Sequence, residues 1–438
     1  VSAIAHELQQ AMDKLKFQQV LDLAPVGSAA ARALSSSVNK DARTPSQLAH
    51  VFAAVTAAKP IVQQPQIDAT VLELDHLGRI ISSGTVLMSP QYVHGVVVPV
   101  DHDSHTTAVR WRQWDDTGWY TNHGKGTIDV VPGRQNAPLD FMLPYPASVL
   151  KLMVNFGVLR LVDKGVIKLD ATYKYQPTTI SSLCGGATSD TIRRYIDASL
   201  TWSSNAASCA LIKLLWDHNA ISGLNAEFQA LGLETLQLQG TNPANGGHWD
   251  NTITMSSLDT AKLLALINGT PGTIWTAPNG KPVTNAALSA SSRGFFKSEL
   301  GQQGWNWMLS TTNYCGAAYP ARGIPQVTAQ RWIAANGTMT VDGGYFGRDV
   351  RPCNRTAQVT FAHKTGWVSN SGADAGIVQS LPGKAYRHYI IAVFSNLGDQ
   401  YQDPSRPATP AGTVPVEYTQ KLAQLGLAID QYEAAHGG

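Results

Sequence analysis

Ile4, Leu8, Met12 and Leu15 recur at the spacing of one helix face, and Leu48, Val51, Phe52 and Val55 repeat the pattern after Thr44-Pro45. Between them, Gly27 to Ser37 is rich in Ala and Ser and has no period. Lys59-Pro60 marks a boundary, and Gln63 to Pro65 reads as linker. From about Val93 the pattern changes to strand, turn, strand: Val96 to Val100, then Asp101 to Ser104, then Thr107 to Trp111. Asp140 to Pro146 is an irregular approach to a strongly helical run, Ser148 to Asp163. Further helices are predicted over Asp190 to Ala198, Asn205 to Asp217 and Ser257 to Ile267. Ala375 to Gln379 and His388 to Ser395 read as buried strands, and Val416 to Ala435 as a closing helix. Strands at both ends with helices between them predict an α+β fold whose one sheet is built from both ends of the chain. The expected organisation is a largely helical accessory region with linker over 1–88, then one large domain over 89–438.

Composition narrows the setting. The chain has 438 residues, 43% hydrophobic and only 15% charged, so material for a buried core is ample. The formal net charge is +2 and no Lys/Arg run forms a footprint for nucleic acid. No apolar stretch is long enough for a transmembrane helix. The start at Val1 fits either a removed signal peptide or a shortened chain. Four cysteines, Cys184, Cys209, Cys315 and Cys353, form no CxxC pair and have no His at zinc-finger spacing. Their even number is compatible with two disulfides and an extracytoplasmic or secreted location. Cys315 with Cys353 would tie off a Gly-, Asn- and Pro-rich stretch; the alternative is four unpaired, mostly buried thiols.

Three short motifs carry candidate chemistry. In Pro146-Ala147-Ser148-Val149-Leu150-Lys151, a serine sits at a helix start, where free N–H groups can stabilise an oxyanion. Lys151, three residues on, lies over the same face and, if kept neutral, can take the hydroxyl proton. Ser203-Ser204-Asn205 precedes an apolar helix: Ser203 could relay a proton and the Asn205 amide could hold a carbonyl or the lysine. Lys364-Thr365-Gly366 offers a charge, a hydroxyl and a position where a substrate backbone can come close, and Trp367 adds a backbone N–H opposite that of Ser148. Taken alone, SxxK and SxN are better read as helix caps, and KTG has a plain turn as its alternative. Asp101 to His105 holds metal-ligand types but sits at a predicted turn, so neither a metal nor another cofactor is expected.

SxxK, SxN and KTG in this order resemble the signature of class A β-lactamases and penicillin-binding proteins. Ser203 follows Ser148 by 55 residues, an interval similar to that of the family. Pro-Ala-Ser-Val-Leu-Lys looks like the nucleophile segment of D-alanyl-D-alanine carboxypeptidases, and His363 to Gly366 with Asp374 to Val378 looks like class A enzymes. The resemblance spans about Val93 to the C-terminus. It implies an antiparallel sheet against an all-helical lobe, with the active site between them. It further implies Ser148 as the acylated nucleophile, Lys151 as its proton acceptor, Ser203 and Lys364 as proton shuttles, and Asn205 and Thr365 as substrate-positioning groups. The N–H groups of Ser148 and Trp367 would form the oxyanion hole. A small-molecule or peptide substrate follows, hydrolysed or transferred, with a D,D-carboxypeptidase, an acyltransferase or a non-catalytic penicillin-binding sensor as alternatives.

Three departures stand out. Asn242, before Pro243, occupies the expected place of the family's deacylating glutamate, and an amide cannot accept a proton as a carboxylate does. Fast β-lactam turnover is therefore not expected. The interval from Ser203 to Lys364 is long, 161 residues, with the excess over about 268–361 and rich in Gly, Asn, Trp305, Trp307, Tyr314, Tyr319, Trp332 and Tyr345. That insertion either walls the cleft or decorates the periphery. Finally, Ala373 and Asp374 stand where family members that bind a free carboxylate keep an arginine, leaving Arg387 and Arg351 as substitutes.

Overall fold

A computed structural model of the chain describes residues 1–22, 59–62, 64–315, 321–368, 370–398 and 416–437. The predicted second helix around Leu48 to Val55, the Gly27 to Ser37 run, Gln63 and Tyr319 lie outside the described residues.

Six strands form one antiparallel sheet: β1 (Ile67–Leu74), β2 (Ile80–Ser89), β3 (Tyr92–Val97), β4 (Val359–Val368), β5 (Ser371–Ser380) and β6 (His388–Ser395). Their order is β4-β5-β6-β1-β2-β3, so the two chain ends meet where β6 pairs with β1. Strand alternation sends side chains to two different layers. Ala373, Ala375 and Ile377 of β5 join Ile390, Ala392 and Phe394 of β6 against the helical lobe. Val359, Phe361, Val378, Ile391 and Val393 pack on the opposite face. Covered on both faces, the sheet is the middle layer of the molecule.

On that opposite face lie α1 (Ala3–Leu15) and a long C-terminal helix, Val416–His436. Ile4, Leu8 and Met12 are fully buried, as their spacing predicts, and the hydroxyl of Ser2 caps the helix by accepting from the Ala5 N–H at 3.2 Å. The helix approaches β2 so closely that a Cβ on Gly84 would lie 2.6 Å from the Ala5 Cα. Only a glycine fits there. The expected boundary at 88/89 is thus corrected: it falls inside β2, and residues 67–89 supply two interior strands of the sheet. The strand pattern of β1 was hidden by polar side chains in its interior. Asp68 and Thr70 are fully buried, and both bind Ser257 at the start of a lobe helix: the Ser257 N–H donates to Asp68 at 2.7 Å, and its hydroxyl meets Thr70 Oγ1 at 2.7 Å.

The helical lobe comprises α2 (Lys151–Asp163), α3 (Ile192–Thr201), α4 (Asn205–Asp217), α5 (Ile221–Ala230), α6 (Ser257–Asn268) and α7 (Ala290–Gly301). The predicted helices recur with shifts of a few residues; α5 and α7 are additional. α2 is buried from Lys151 to Leu159 because it runs through the middle of the lobe. Disulfides join Cys184 to Cys209 and Cys315 to Cys353, which overturns the alternative of four free thiols. The first fastens the approach to α3 onto α4; the second closes the insertion on itself. Within the insertion, Phe296 and Leu300 of α7 join the helical core, whereas Trp305, Met308, Ile324, Met339, Phe346 and Val350 join the core on the other side of the sheet.

Candidate active site

Ser148 lies on a single 3₁₀ turn, Ala147–Leu150, that leads into α2. The turn is entered through a left-handed residue, Ala147 at φ 47°. A non-glycine residue in that region is strained and must be held by its surroundings. What holds it is β4: a Cβ on Gly366 would come within 2.8 Å of both Pro146 O and Ser148 N. The glycine of KTG thus lets the sheet edge touch the backbone of the serine turn. Ser203 is also left-handed, at φ 63°, between the end of α3 and the start of α4. The Ser204 hydroxyl caps α4 by accepting from Ala207 N–H at 3.1 Å, which fixes Asn205 at the helix start.

These three elements bring the predicted polar groups together. The Lys151 ammonium, fully buried, donates to Ser203 O at 2.6 Å, Ser203 Oγ at 2.9 Å and Asn205 Oδ1 at 2.8 Å. The Lys364 ammonium, also fully buried, donates to the same Ser203 Oγ at 3.0 Å and to Thr365 O at 2.7 Å. Two lysine side chains therefore converge on one hydroxyl. Ser148, Ser203, Asn205, Thr365 and Trp367 line one cleft of about 130 Å³. Neither lysine is among the residues that line it, and both reach it through Ser203.

Asn242 is a correction. It is exposed, and its side-chain oxygen accepts from the Ala244 N–H at 2.9 Å, capping the short turn 243–245. It does not line the cleft. The arginine substitutes are corrected too. Arg387 is buried in an ion pair with Asp430 at 3.1 Å, and exposed Arg351 pairs with Asp349 at 2.8 Å. Among the described residues, no charged side chain lines the cleft.

Asp374 faces away from the cleft. It binds His363 Nδ1 at 2.8 Å and accepts from Leu309 N–H at 3.2 Å, while His363 Nε2 meets Asn306 Oδ1 at 2.8 Å. All three side chains are buried, so this network ties the insertion to the back of the KTG strand. Asp101 to His105 forms a turn in which Asp101 accepts from the amides of Asp103 and His105, each at 2.9 Å.

Sequence reasoning missed part of the lining: Tyr145, Leu183 and Trp249. The Trp249 indole N–H donates to the Tyr145 hydroxyl at 2.8 Å, and burial pushes that phenol up to about 12. Tyr145 had a signal, since it directly precedes the serine turn; Trp249, far along the chain, had none. The insertion does form a wall, because Trp305 and Trp307 line the cleft. Trp305 stacks on Trp307 at 5.0 Å, Trp307 meets Trp367 edge-on at 4.7 Å, and the Trp305 N–H donates to Trp202 O at 2.8 Å.

Sheet, helical lobe and a serine-lysine cleft between them define a protein of the serine hydrolase type, with an α+β fold of the β-lactamase and transpeptidase kind. Residues 143–304 match the model of the beta-lactamase enzyme family. That stretch belongs to the penicillin-binding protein and serine β-lactamase superfamily; the KTG strand lies beyond it in sequence and within the same site. Similar solved structures include PBP-A, at 16% identity over 93% of this chain and 96% of that one, TM-score 0.44. A beta-lactamase from Chitinophaga pinensis is 18% identical over 66% of this chain and 85% of that one, TM-score 0.41. A beta-lactamase from Sphaerobacter thermophilus is 15% identical over 85% and 93%, TM-score 0.41. No curated protein matches the chain. Among the described residues, no helix is long and apolar enough to cross a membrane.

Proposed function

We propose that this protein forms an acyl-enzyme on Ser148 from an amide or ester and releases it slowly. The observation that carries the proposal is the meeting of both lysines at Ser203 Oγ, beside Ser148 in one cleft. Ser148 Oγ bonds to the carbonyl carbon and gives its proton to Lys151. Two like charges at one hydroxyl favour the state in which one lysine is unprotonated and free to accept. The proton then passes through Ser203 Oγ to the leaving nitrogen or oxygen as the scissile bond breaks. Negative charge on the carbonyl oxygen is met by the N–H groups of Ser148 and Trp367. Asn205 and Thr365 hold the substrate.

No Asp or Glu is among the described residues lining the cleft, which supports slow attack by water on the acyl-enzyme. The same observation favours a second reading, transfer of the acyl group to a better nucleophile than water. The two disulfides support an extracytoplasmic setting. The test is incubation with a fluorescent penicillin and with a fluorophosphonate, followed by intact-mass measurement. A persistent adduct on the wild type and none on Ser148→Ala is expected. Labelling of Ser148→Ala to the wild-type level, or nitrocefin turnover at rates typical of resistance enzymes, would refute it.

A further inference from the structure

We infer that Gln303 is a positioning residue: it sets the distance between Ser203 and Lys364, on which proton transfer during acylation depends. The inference rests on acylation at Ser148 and adds to it a residue outside the cleft.

Ser203 holds a left-handed backbone conformation, φ 63°, just past the end of α3. Such a conformation persists only where the surroundings over-determine it. Leu200, Thr201 and Trp202 close α3, where carbonyls have no partner inside the helix. Each is met by one of three consecutive residues after α7. Gln303 Nε2 donates to Leu200 O at 3.1 Å, the Gly304 N–H to Thr201 O at 2.8 Å, and the Trp305 indole N–H to Trp202 O at 2.8 Å. This turn is the socket in which Ser203 is held.

Of the three, Gln303 also reaches the strand that carries Lys364. Its Nε2 donates a second hydrogen bond, to His363 O, at 3.1 Å. β4 stands at one end of the six-stranded sheet, next to β5, so a tie on its other side limits how far it can move. The amide cannot be turned round. Gln303 Oε1 accepts from the Trp305 backbone N–H at 3.1 Å, and a reversed amide would set an oxygen against two carbonyl oxygens. One buried side chain therefore joins the residue three before Ser203 to the residue just before Lys364. Across that bridge the Lys364 ammonium donates to Ser203 Oγ at 3.0 Å.

The distance matters because Lys151 and Lys364 both donate to Ser203 Oγ, and a like charge nearby favours loss of a proton. Lys151 arrives from α2 and Lys364 from β4. His363 and Asp374 pair with each other away from the cleft, and among the described residues no charged side chain lines it. If β4 retreats, Lys151 keeps its proton to higher pH and acylation starts later.

The experiment follows labelling by ethyl fluorophosphonate, read as intact mass, across pH for the wild type, Gln303→Leu and Gln303→Glu. Leucine removes both donated bonds; a protonated glutamic acid keeps the bond from Trp305 and can donate one of the two. Labelling of Gln303→Leu at neutral pH should be at least about tenfold slower. Its pH of half-maximal rate should rise by about half a unit, the effect of moving one charge away by about 1 Å. Gln303→Glu should lie between Gln303→Leu and the wild type on both scales. A variant that only loosened the fold would lose labelled fraction without moving the midpoint. An unchanged midpoint in Gln303→Leu, or a rate within threefold of wild type, therefore overturns the inference while leaving acylation at Ser148 intact. If Gln303→Leu does not fold, the midpoint of Gln303→Glu decides by the same criterion. If the wild type itself is not labelled, the reading of Ser148 falls and this inference with it.

Discussion

Replacing Lys151 with methionine separates chemistry from stability. The side chain is nearly isosteric, so the fully buried stem keeps its packing while the ammonium is lost. Three donated hydrogen bonds disappear, at 2.6, 2.9 and 2.8 Å. Ser203 O and Asn205 Oδ1 are left as acceptors without this donor, at about 1–3 kcal/mol each. Relief from burying a polar nitrogen offsets part of that loss, and the net loss of stability should be about 2–5 kcal/mol. Acylation has no such compensation: loss of a positioned proton acceptor should slow it by about 10²- to 10⁴-fold. Urea unfolding measures the first quantity, and the rate of adduct formation by intact mass measures the second. A Lys151→Met protein that folds and is acylated within tenfold of the wild-type rate would refute the assignment of Lys151 as the proton acceptor.

Further outcomes follow from other positions. Gly366→Ala sets a methyl 2.8 Å from two backbone atoms of the serine turn, and a displacement approaching 1 Å should slow acylation about 100-fold; a rate within threefold of wild type would contradict the close approach. Asn242→Glu, at an exposed position outside the cleft, should change the lifetime of the acyl-enzyme less than twofold, and a marked shortening would put that residue back at the site. Burial pushes the Asp68 carboxyl up to about 7 from its ordinary 3.8. Between those values the unfolded chain releases a proton that the folded chain retains, so stability falls as pH rises through this window, by about 4 kcal/mol at most from this group. Asp68→Asn should flatten that slope in urea midpoints taken at pH 4.5 and 7.5, and an unchanged slope would count against it. Replacing Cys184 and Cys209 by serine opens a loop of 25 residues and should lower unfolding free energy by about 3.5 kcal/mol; a loss under 1 kcal/mol would argue that the bond constrains little.

Local chemistry determined much of this protein by itself. Serine and asparagine before an apolar run favour a helix start, and continuous apolar stretches such as His388 to Ser395 favour a buried strand, because capping and burial act between near neighbours. The order SxxK, SxN and KTG was legible for the same reason: each motif is short and needs no distant partner to be read. Tertiary structure alone decided what depends on residues far apart in the chain. Asp68 and Thr70 broke the apolar alternation of β1 because their partner, Ser257, lies on a helix from another layer. Asn242 stood at a plausible interval for the family's glutamate, yet its amide is held by a local turn, and interval carries no information about direction. Asp374 was legible as a residue but not as a hydrogen-bond partner of His363, since the face a strand presents is set by the sheet around it. The tryptophan wall likewise exists only where the insertion folds back over β4. Which groups share a cleft is a property of packing between elements, and that packing is not written at any one position.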